Sequence, residues 1–200
     1  MSDVIQFLFR FSLFAMVHSI LAIPSLKRWF TVRSSHLRRF YRLYYNLASL
    51  ALFGWVMSAY GNTAVLYVVP GAWSLVLYGM QLVFLVALCV CVSQTGTAEF
   101  LGIAGPTQDD MKTHRLIISG LYRVVRHPLY LFSILFLISN PVISVRWLLL
   151  TVISIVYFIV GALIEERRLL KEFGSDYQAY QRTVPFIIPR FFIRKGPAQP

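Results

Sequence analysis

The sequence predicts an all-α, polytopic membrane protein with about five transmembrane helices. Of its 200 residues, 58% are hydrophobic and only 14% are charged, whereas soluble domains carry about a quarter charged residues. The mean hydropathy is +0.66, and the apolar residues occur in long runs separated by short polar segments. One globular core cannot hold this much apolar surface, so we expect lipid to surround much of the chain.

The excess of basic residues agrees with this fold class. The formal net charge is +11, which in a soluble protein would suggest nucleic-acid binding. In a membrane protein, Lys and Arg concentrate in cytoplasmic segments and set the topology. We therefore expect a membrane environment and no nucleic-acid partner.

The two cysteines, Cys89 and Cys91, lie in one apolar run. Residues two positions apart on a helix point in different directions, so we expect no disulfide between them. We interpret both as small apolar side chains, and we predict no metal site.

The first predicted span runs from Val4 to Ile23 and ends at Pro24. Because no basic segment precedes it and no small-residue cleavage site follows, we expect a retained span and not a signal peptide. The segment from Lys27 to Arg42 carries six basic residues and no acid. It is predicted to be a cytoplasmic loop, which places the N-terminus outside. The second span is predicted from Leu43 to Tyr60.

The middle of the chain is predicted to cross the membrane once more. Gly61 to Gly71 carries no charge and suits an external connection. Ala72 to Val92 is long enough for a third span, because a helix rises 1.5 Å per residue and the hydrocarbon is ~30 Å thick. Gln94 to Thr113 contains glycines, a proline and the acidic pair Asp109-Asp110, and is predicted to be a loop.

Two further apolar runs, Leu129 to Ile138 and Trp147 to Ile164, are separated by Ser139-Asn140-Pro141. Asn-Pro is a turn signal, so the pattern predicts a helical hairpin. The first run is short for a span unless its helix extends back through Arg126-His127-Pro128. The second is predicted to end at Glu165-Glu166-Arg167-Arg168.

The polar tail is predicted to form an interfacial helix. Phe173, Tyr177, Tyr180 and Val184 are spaced 4, 3 and 4, which places them on one helix face. A basic helix with an aromatic stripe beside a membrane is typical of interfacial segments. Pro185 would end this helix.

These elements give five spans, with the N-terminus outside and the C-terminus cytoplasmic, and they place every strongly basic segment on one side. We predict one integral membrane domain over residues 1–200. Within it, 4–93 would hold three spans, and 94–200 would hold the loop, the hairpin and the tail. The short loops and compact size suggest a bacterial or archaeal inner membrane.

Two clusters of charged and aromatic residues lie at the edges of apolar runs. The first, from His114 to Tyr130, reads HRLIISGLYRVVRHPLY, and the second is the EERR sequence of 165–168. Such residues are costly at a membrane boundary and mark candidate functional sites. A carboxylate pair at a helix C-terminus opposes the helix dipole and requires a cationic partner. We expect the two clusters to meet and to hold a polar ligand at the cytoplasmic side, although nearby arginines could also serve as partners.

The two clusters resemble the integral-membrane methyltransferases, which include isoprenylcysteine carboxyl methyltransferases and phospholipid N-methyltransferases. The first cluster follows H-x-L-[IV]-x-x-G-x-Y and then R-x-V-R-H-P-x-Y. The second opens E-E-x-x-L-x-x-x-F-G-x-x-Y-x-x-Y-x-x-x-V-P. Both blocks occur in order, and the match extends over roughly the last ninety residues.

The resemblance implies S-adenosylmethionine as cofactor, bound without a Rossmann glycine fingerprint. It implies that Glu165 and Arg126 are catalytic. The implied cofactor-binding residues are His114, Arg115, Leu116, Ile117, Tyr122, His127, Pro128, Leu129, Tyr130 and Glu165. Tyrosine and aliphatic side chains suit the adenine, Glu165 suits the ammonium, and His and Arg donors suit the carboxylate of the cofactor.

The acceptor implied by the resemblance is lipophilic: a prenylcysteine, a phospholipid or a small thiol. The carboxyl methyltransferases carry an acceptor-binding arginine where this chain has Gly161, which disfavours a prenylcysteine carboxylate. We predict substrate contacts from Tyr44, Tyr45, Asn46 and Glu166.

The front half is similar to bacterial thiol S-methyltransferases and to NnrU-type membrane proteins, in His18-Ser19-x-x-Ala22 and in Arg42-Leu43-Tyr44-Tyr45-Asn46. The similarity to the thiol enzymes favours a small thiol as the acceptor. The NnrU-type proteins include a haem-dependent isomerase, and His18 with His114 or His127 could ligate haem iron. A non-catalytic membrane regulator is the third hypothesis.

Overall fold

The computed structural model describes residues 2–59, 64–103 and 116–190. In chain order its elements are α1 (Ser2–Leu21), α2 (Pro24–Arg33), α3 (Ser35–Met57), β1 (Val65–Val68), α4 (Ala72–Gln94), α5 (Thr97–Leu101), α6 (Pro128–Ile138), β2 (Val142–Ser144), α7 (Val145–Phe173) and α8 (Ser175–Thr183).

The chain divides into two compact units, and each is described by itself. Unit 1 comprises Met1–Ala64 and Thr95–His114, and unit 2 comprises Val65–Gln94 and Arg115–Pro200. The single integral membrane domain over 1–200 stays a prediction.

In unit 1, α1 and α3 pack antiparallel and are joined by polar side chains. Near one end of the pair, Arg10 Nη1 donates to the carbonyl of Trp55 (3.0 Å) and to Ser58 Oγ (3.1 Å). Near the other end, the two ring nitrogens of His18 lie 2.9 Å from Ser49 Oγ and 2.7 Å from the Tyr45 hydroxyl. Such contacts satisfy polar groups that an apolar helix pair would otherwise leave unpaired.

The basic segment predicted as a loop is helical, so that prediction is wrong. α2 has a proline in its first turn, which suits the start of a helix. Ser34 separates α2 from α3 and caps α3 through the amide of Leu37. Arginine is a good helix former, and the charge pattern alone does not distinguish a basic loop from a basic helix.

The short helix α5 lies in the segment predicted as a loop. Asn46 Nδ2 donates to the carbonyls of Phe100 (2.9 Å) and Leu101 (3.1 Å), which are at the end of α5. Gly102 follows with φ +78°, and a Cβ there would lie 2.6 Å from the carbonyl carbon of Arg42. The end of α5 is therefore held directly against the backbone of α3.

In unit 2, the strands β1 and β2 precede α4 and α7 and pair antiparallel. The register joins Val65 to Ser144 and Val68 to Val142. The fold is mostly helical, as predicted, but this short strand pair was not predicted, because both segments were predicted to be connections. Their valine, isoleucine and tyrosine side chains favour strand, but strands of four and three residues are too short to show a period.

The helix α6 begins at Pro128 and does not extend back through the Arg126-His127 segment. Its 11 residues cover only about half of ~30 Å of hydrocarbon. The side chains of Gln81 and Trp147 donate to the carbonyls of Phe136 (3.0 Å) and Leu137 (2.8 Å). These bonds satisfy backbone acceptors at the end of α6.

The helix α7 has 29 residues and was predicted to end at Glu165-Glu166. Instead it continues unbroken to Phe173 and ends at Gly174, where φ is +53°. The stripe was predicted on one helix, but the break at Gly174 leaves Phe173 on α7 and places Tyr177 and Tyr180 on α8. Both tyrosines are buried together with Val184 against unit 2 itself, and Leu116, Leu169 and Phe173 pack on them.

Among the described residues, three helices are long and apolar enough to cross a membrane: Asp3–Leu21, Ala72–Gln94 and Val145–Phe173. The other two predicted spans correspond to α3, whose first turns are basic, and to the short α6. The count of five spans and the orientation of the termini stay predictions.

Candidate active site

The first cluster contains a tight turn at Gly120–Arg123. Gly120 has φ +59°, and a Cβ there would collide with the side chain of Gln94. The same side chain accepts from the amide of Leu121 through Oε1 (3.3 Å). The end of α4 therefore holds the turn and requires glycine at position 120.

The segment after α8 holds the backbone of the Arg126-His127 pair. The amide of Arg126 donates to the carbonyl of Pro185 (2.9 Å), and the amide of His127 donates to Phe186 (3.2 Å). The Tyr180 hydroxyl donates to the carbonyl of Tyr122 (2.6 Å). The C-terminal segment is thus part of the structure that positions the first cluster.

Arg126 is engaged at all three of its guanidinium nitrogens. Nε and Nη2 donate to Oε1 (2.8 Å) and Oε2 (3.0 Å) of Glu166. Nη1 donates to the carbonyls of Val184 (2.6 Å) and Gln181 (3.2 Å). Only 12% of the side chain is exposed, so the guanidinium group is paired with acceptors inside the protein.

Glu166 is equally engaged. Besides Arg126, its oxygens accept from the Tyr177 hydroxyl (2.6 Å), from His127 Nε2 (2.9 Å) and from the Gln181 amide. An ionised carboxylate offers about four acceptor positions, and five donors surround this one. Burial raises the pKa of Tyr177, and its bond to Glu166 raises that pKa further. Tyr177 therefore stays a donor.

Glu165 is the neighbour of Glu166 in sequence and differs from it in every contact. Its Oε2 accepts from the Tyr130 hydroxyl at 3.1 Å. Arg168 lies 3.9 Å from Oε1, and His127 Nδ1 lies 3.8 Å from Oε2, both beyond hydrogen-bond distance. The side chain is 34% exposed. Glu165 therefore retains acceptor capacity that Glu166 lacks.

Aromatic rings line the cluster on the side of α6 and α7. His127 stacks on Tyr130 and Tyr130 on Phe158, each with ring centroids 5.6 Å apart. Phe186 contacts His127 edge to face at 5.0 Å. A Cβ at Gly161 would lie 3.7 Å from the Tyr130 hydroxyl, so a large side chain at position 161 would meet this ring.

The structure brings five predicted site residues into direct contact: Arg126, His127, Tyr130, Glu165 and Glu166. Others lie nearby in unit 2, where Pro128 is buried and where Ile117, Tyr122 and Leu129 are partly buried. Burial raises the pKa of Tyr122. Leu116 packs against the tail cluster.

The remaining predicted site residues fall into two groups. His114 and Arg115 lie outside the described residues. Tyr44, Tyr45 and Asn46 belong to unit 1, where Tyr44 is exposed, Tyr45 contacts His18 and Asn46 holds α5.

Sequence reasoning missed Gln181 and Phe158 as members of the cluster and assigned Tyr177 to the aromatic stripe of an interfacial helix. Tyr177 and Gln181 are four residues apart on α8, so they present one polar edge to Glu166. Phe158 precedes Glu165 by two helical turns and lies on the same face of α7. Helical spacing from the two glutamates was the signal that could have found them.

Comparisons with known proteins identify relatives of this chain. Residues 73–176 match the phospholipid methyltransferase family. The chain is 32% identical over 194 residues to methanethiol S-methyltransferase 2 of Bradyrhizobium diazoefficiens, an alignment that covers 92% of this chain and 72% of that protein. It is 26% identical over 198 residues to methanethiol S-methyltransferase of Pseudomonas deceptionensis, with 93% and 72% covered. No solved structure matches the chain.

The family match extends over more than half of the sequence. It includes Arg126-His127-Pro128 and the Glu165-Glu166 pair, which build the cluster described above. It also includes two of the three helices that are long and apolar enough to cross a membrane. The chain is therefore an integral membrane methyltransferase and belongs to the phospholipid methyltransferase family.

Proposed function

We propose that this protein transfers a methyl group from S-adenosylmethionine to the sulfur of a small lipophilic thiol. The observation that carries the proposal is the contrast between two adjacent carboxylates. Glu166 is saturated by protein donors, whereas Glu165 is partly exposed beside a wall of aromatic rings. In a family of methyltransferases, such a site suits a cationic methyl donor.

The donor set fits this cofactor. S-adenosylmethionine carries a sulfonium, an ammonium, a carboxylate and an adenine, and when bound it supplies an activated methyl group. A carboxylate with spare acceptor capacity suits the ammonium, and the faces of Tyr130 and Phe158 suit a cation or the adenine. We propose Glu165 and Tyr130 as the contacts of the cofactor, with Leu116, Ile117, Tyr122, Pro128 and Leu129 as surrounding walls.

Arg126 and Glu166 have a different role in this proposal. The sequence suggested Arg126 as a catalytic residue and Glu166 as a substrate contact. Their mutual bonds and their bonds to α8 favour a scaffold role for both. The carboxylate of the cofactor would then be met by His114 and Arg115.

A thiol is favoured over an acceptor that carries a carboxylate. The relatives are named methanethiol S-methyltransferases, and a thiol needs no ion-pair partner. Arg126, the largely buried arginine of the cluster, is engaged by protein acceptors at all three guanidinium nitrogens. Within unit 1, the hydroxyl of Tyr45 and the amide of Asn46 are in use, and Tyr44 is the exposed one of the three proposed substrate contacts.

The geometry of α7 supports an acceptor that arrives from the membrane. From Val145 to Glu165 the helix rises about 30 Å, close to the thickness of the hydrocarbon. Glu165 would then lie at the membrane boundary. We propose five spans, an external N-terminus and a cytoplasmic C-terminus, with the site facing the cytoplasm of a bacterial or archaeal inner membrane.

The described histidines do not favour a haem-dependent isomerase. Both ring nitrogens of His18 are within hydrogen-bond distance of Tyr45 or Ser49, and Nε2 of His127 contacts Glu166. An absorbance scan of the purified protein tests this alternative directly, because haem would give a Soret band.

The proposed function is tested by calorimetric titration of S-adenosylhomocysteine into detergent-purified protein, followed by methyl-transfer assays with methanethiol. We expect Glu165→Gln to weaken binding by about 10-fold or more, equal to 1.4 kcal/mol, without lowering the unfolding temperature. Glu166→Gln should lower the unfolding temperature. Asp176→Asn, an exposed carboxylate on α8, is the control. Wild-type affinity in Glu165→Gln would reject the assignment of the site, and binding without transfer to any thiol would favour a non-catalytic regulator.

A further inference from the structure

We propose that His127 accepts the proton of the acceptor thiol at Nδ1. This inference rests on the proposed thiol methyltransferase function and adds the residue that removes the proton. Thiolates, and not thiols, are the effective sulfur nucleophiles, so the reaction needs a proton acceptor beside the acceptor sulfur. The position of His127 between the two glutamates indicates which of its nitrogens can serve.

The first step is the position of the proton on the free imidazole. His127 Nε2 lies 2.9 Å from Glu166 Oε1. That oxygen also accepts from Arg126 Nε and from the Tyr177 hydroxyl, so it belongs to an ionised carboxylate and can only accept. Nε2 must therefore carry the proton, and a neutral imidazole then has its lone pair at Nδ1.

The second step is the fixed orientation of the ring. His127 is 5% exposed, stacks on Tyr130 and contacts Phe186 edge to face. Its backbone amide donates a hydrogen bond to the carbonyl of Phe186. A buried carboxylate that orients a histidine and selects its tautomer is the arrangement used in acyl-transfer enzymes. Here Glu166 has that positioning role.

The third step is what Nδ1 faces. Glu165 Oε2 lies 3.8 Å away, too far for a hydrogen bond. With a neutral imidazole both atoms are acceptors, and the Tyr130 hydroxyl already donates to Oε2. A hydrogen-bond donor such as the S–H group of the thiol would satisfy the lone pair of Nδ1. The neighbouring Glu165 carboxylate then stabilises the imidazolium that forms.

The step balances in atoms and electrons. The thiol sulfur forms a bond to the methyl carbon while the bond from that carbon to the positively charged sulfur breaks, and its electron pair stays on that sulfur. The thiol proton passes to Nδ1 of His127. Two neutral thioethers and one imidazolium result, and the imidazolium later returns its proton to solvent.

The test compares two thiols of different acidity in wild type and in His127→Gln. General-base catalysis contributes about 10²–10⁴-fold, so we expect a loss of at least about 10²-fold with an alkanethiol. Thiophenol is more acidic and ionises without a general base. With thiophenol the loss of rate should therefore be smaller than with the alkanethiol by at least about 10-fold. Binding of S-adenosylhomocysteine should stay within about 3-fold of wild type, a difference under 1 kcal/mol.

Two outcomes of this comparison would overturn the inference. Equal losses with both thiols would mean that His127 does not take the proton. Loss of S-adenosylhomocysteine binding would make His127 a contact of the cofactor. Failure of the proposed function is distinguishable from both, because wild-type protein would then bind no S-adenosylhomocysteine or methylate neither thiol.

A second measurement uses the wild-type protein and does not depend on the folding of a variant. The chain has four histidines, so nitrogen-15 labelling of histidine gives a spectrum that is simple to assign. His36→Gln, at an exposed site on α3, identifies one of the other signals. We expect the neutral imidazole of His127 to carry its proton on Nε2 and its lone pair on Nδ1. A neutral ring with its proton on Nδ1 would overturn the inference.

Discussion

Arg126 and Glu166 form a bidentate ion pair, with Nε 2.8 Å from Oε1 and Nη2 3.0 Å from Oε2. The pair joins the segment before α6 to the end of α7. Through Nη1 and the carbonyls of Gln181 and Val184 it also includes the C-terminal segment. Three parts of unit 2 that are distant in sequence therefore depend on one side chain.

Replacing Arg126 by glutamine should destabilise unit 2 strongly. Glu166 would keep its charge in a buried position without a cationic partner, and breaking such a pair costs about 3–5 kcal/mol. The measurement is the free energy of unfolding in detergent. Arg167→Gln, at an exposed neighbour of the same cluster, should change stability little. Equal effects of the two substitutions would contradict the role assigned to Arg126.

The stability of the tail should fall at alkaline pH. Burial raises the pKa of Tyr180 from 10.0 to about 12, so the folded form holds its proton where the unfolded chain has lost it. The stability from this group is complete below pH 10.0 and is lost as the pH rises towards about 12. Unfolding temperatures measured across this window should fall. Tyr180→Phe should flatten the fall, and an unchanged slope in that variant would reject the assignment to Tyr180.

Gly102→Ala should disrupt unit 1 around α5. A Cβ at position 102 would lie 2.6 Å from the carbonyl carbon of Arg42, and φ is +78°, a conformation that alanine adopts at a cost of about 1 kcal/mol or more. Gly54→Ala on α3 is the control, because nothing lies within 4 Å of its Cβ. Alanine in that helix should be neutral or stabilise by up to about 1 kcal/mol. Thermal unfolding of both variants measures the contrast, and a stable Gly102→Ala protein would contradict the close approach.

Gln81→Leu should weaken the contact of α4 with α6. The Gln81 amide donates to the carbonyl of Phe136 at 3.0 Å, and hydrogen bonds between membrane helices contribute about 0.6 kcal/mol on average and up to about 1.7. Unfolding in detergent should show a loss of this size. Gln6→Leu, at an exposed position of α1, should show none, and a similar loss there would mean that the effect is not specific to this bond.

The sequence predicted the elements that have a strong periodic or apolar signal. The long helices α1, α4 and α7 were predicted within a few residues at their starts, and the meeting of the two polar clusters followed from their place at the edges of apolar runs. The strands were missed because β1 and β2 pair across 74 or more residues of chain and each is too short to show alternation. The end of α7 was placed too early because a charged segment does not by itself stop a helix.

The different contacts of Glu165 and Glu166 could not be predicted from the sequence. The two residues are chemically identical and adjacent, and they differ only by about 100° of rotation around α7. Which of them meets Arg126, Tyr177 and Gln181 is decided by the position of α8 and the preceding turn at Gly174. That position is a tertiary property, so only the structure separates the saturated carboxylate from the available one.

The unbroken course of α7 makes one rigid rod of the membrane span and the two glutamates. Membrane helices adjust to a thinner or thicker lipid layer by changing their tilt. A change of tilt would move the whole of α7. Because Arg126 is paired with Glu166, the segment before α6 and the tail would move with it. We therefore expect the lipid composition of the membrane to change the depth and the angle at which Glu165 lies.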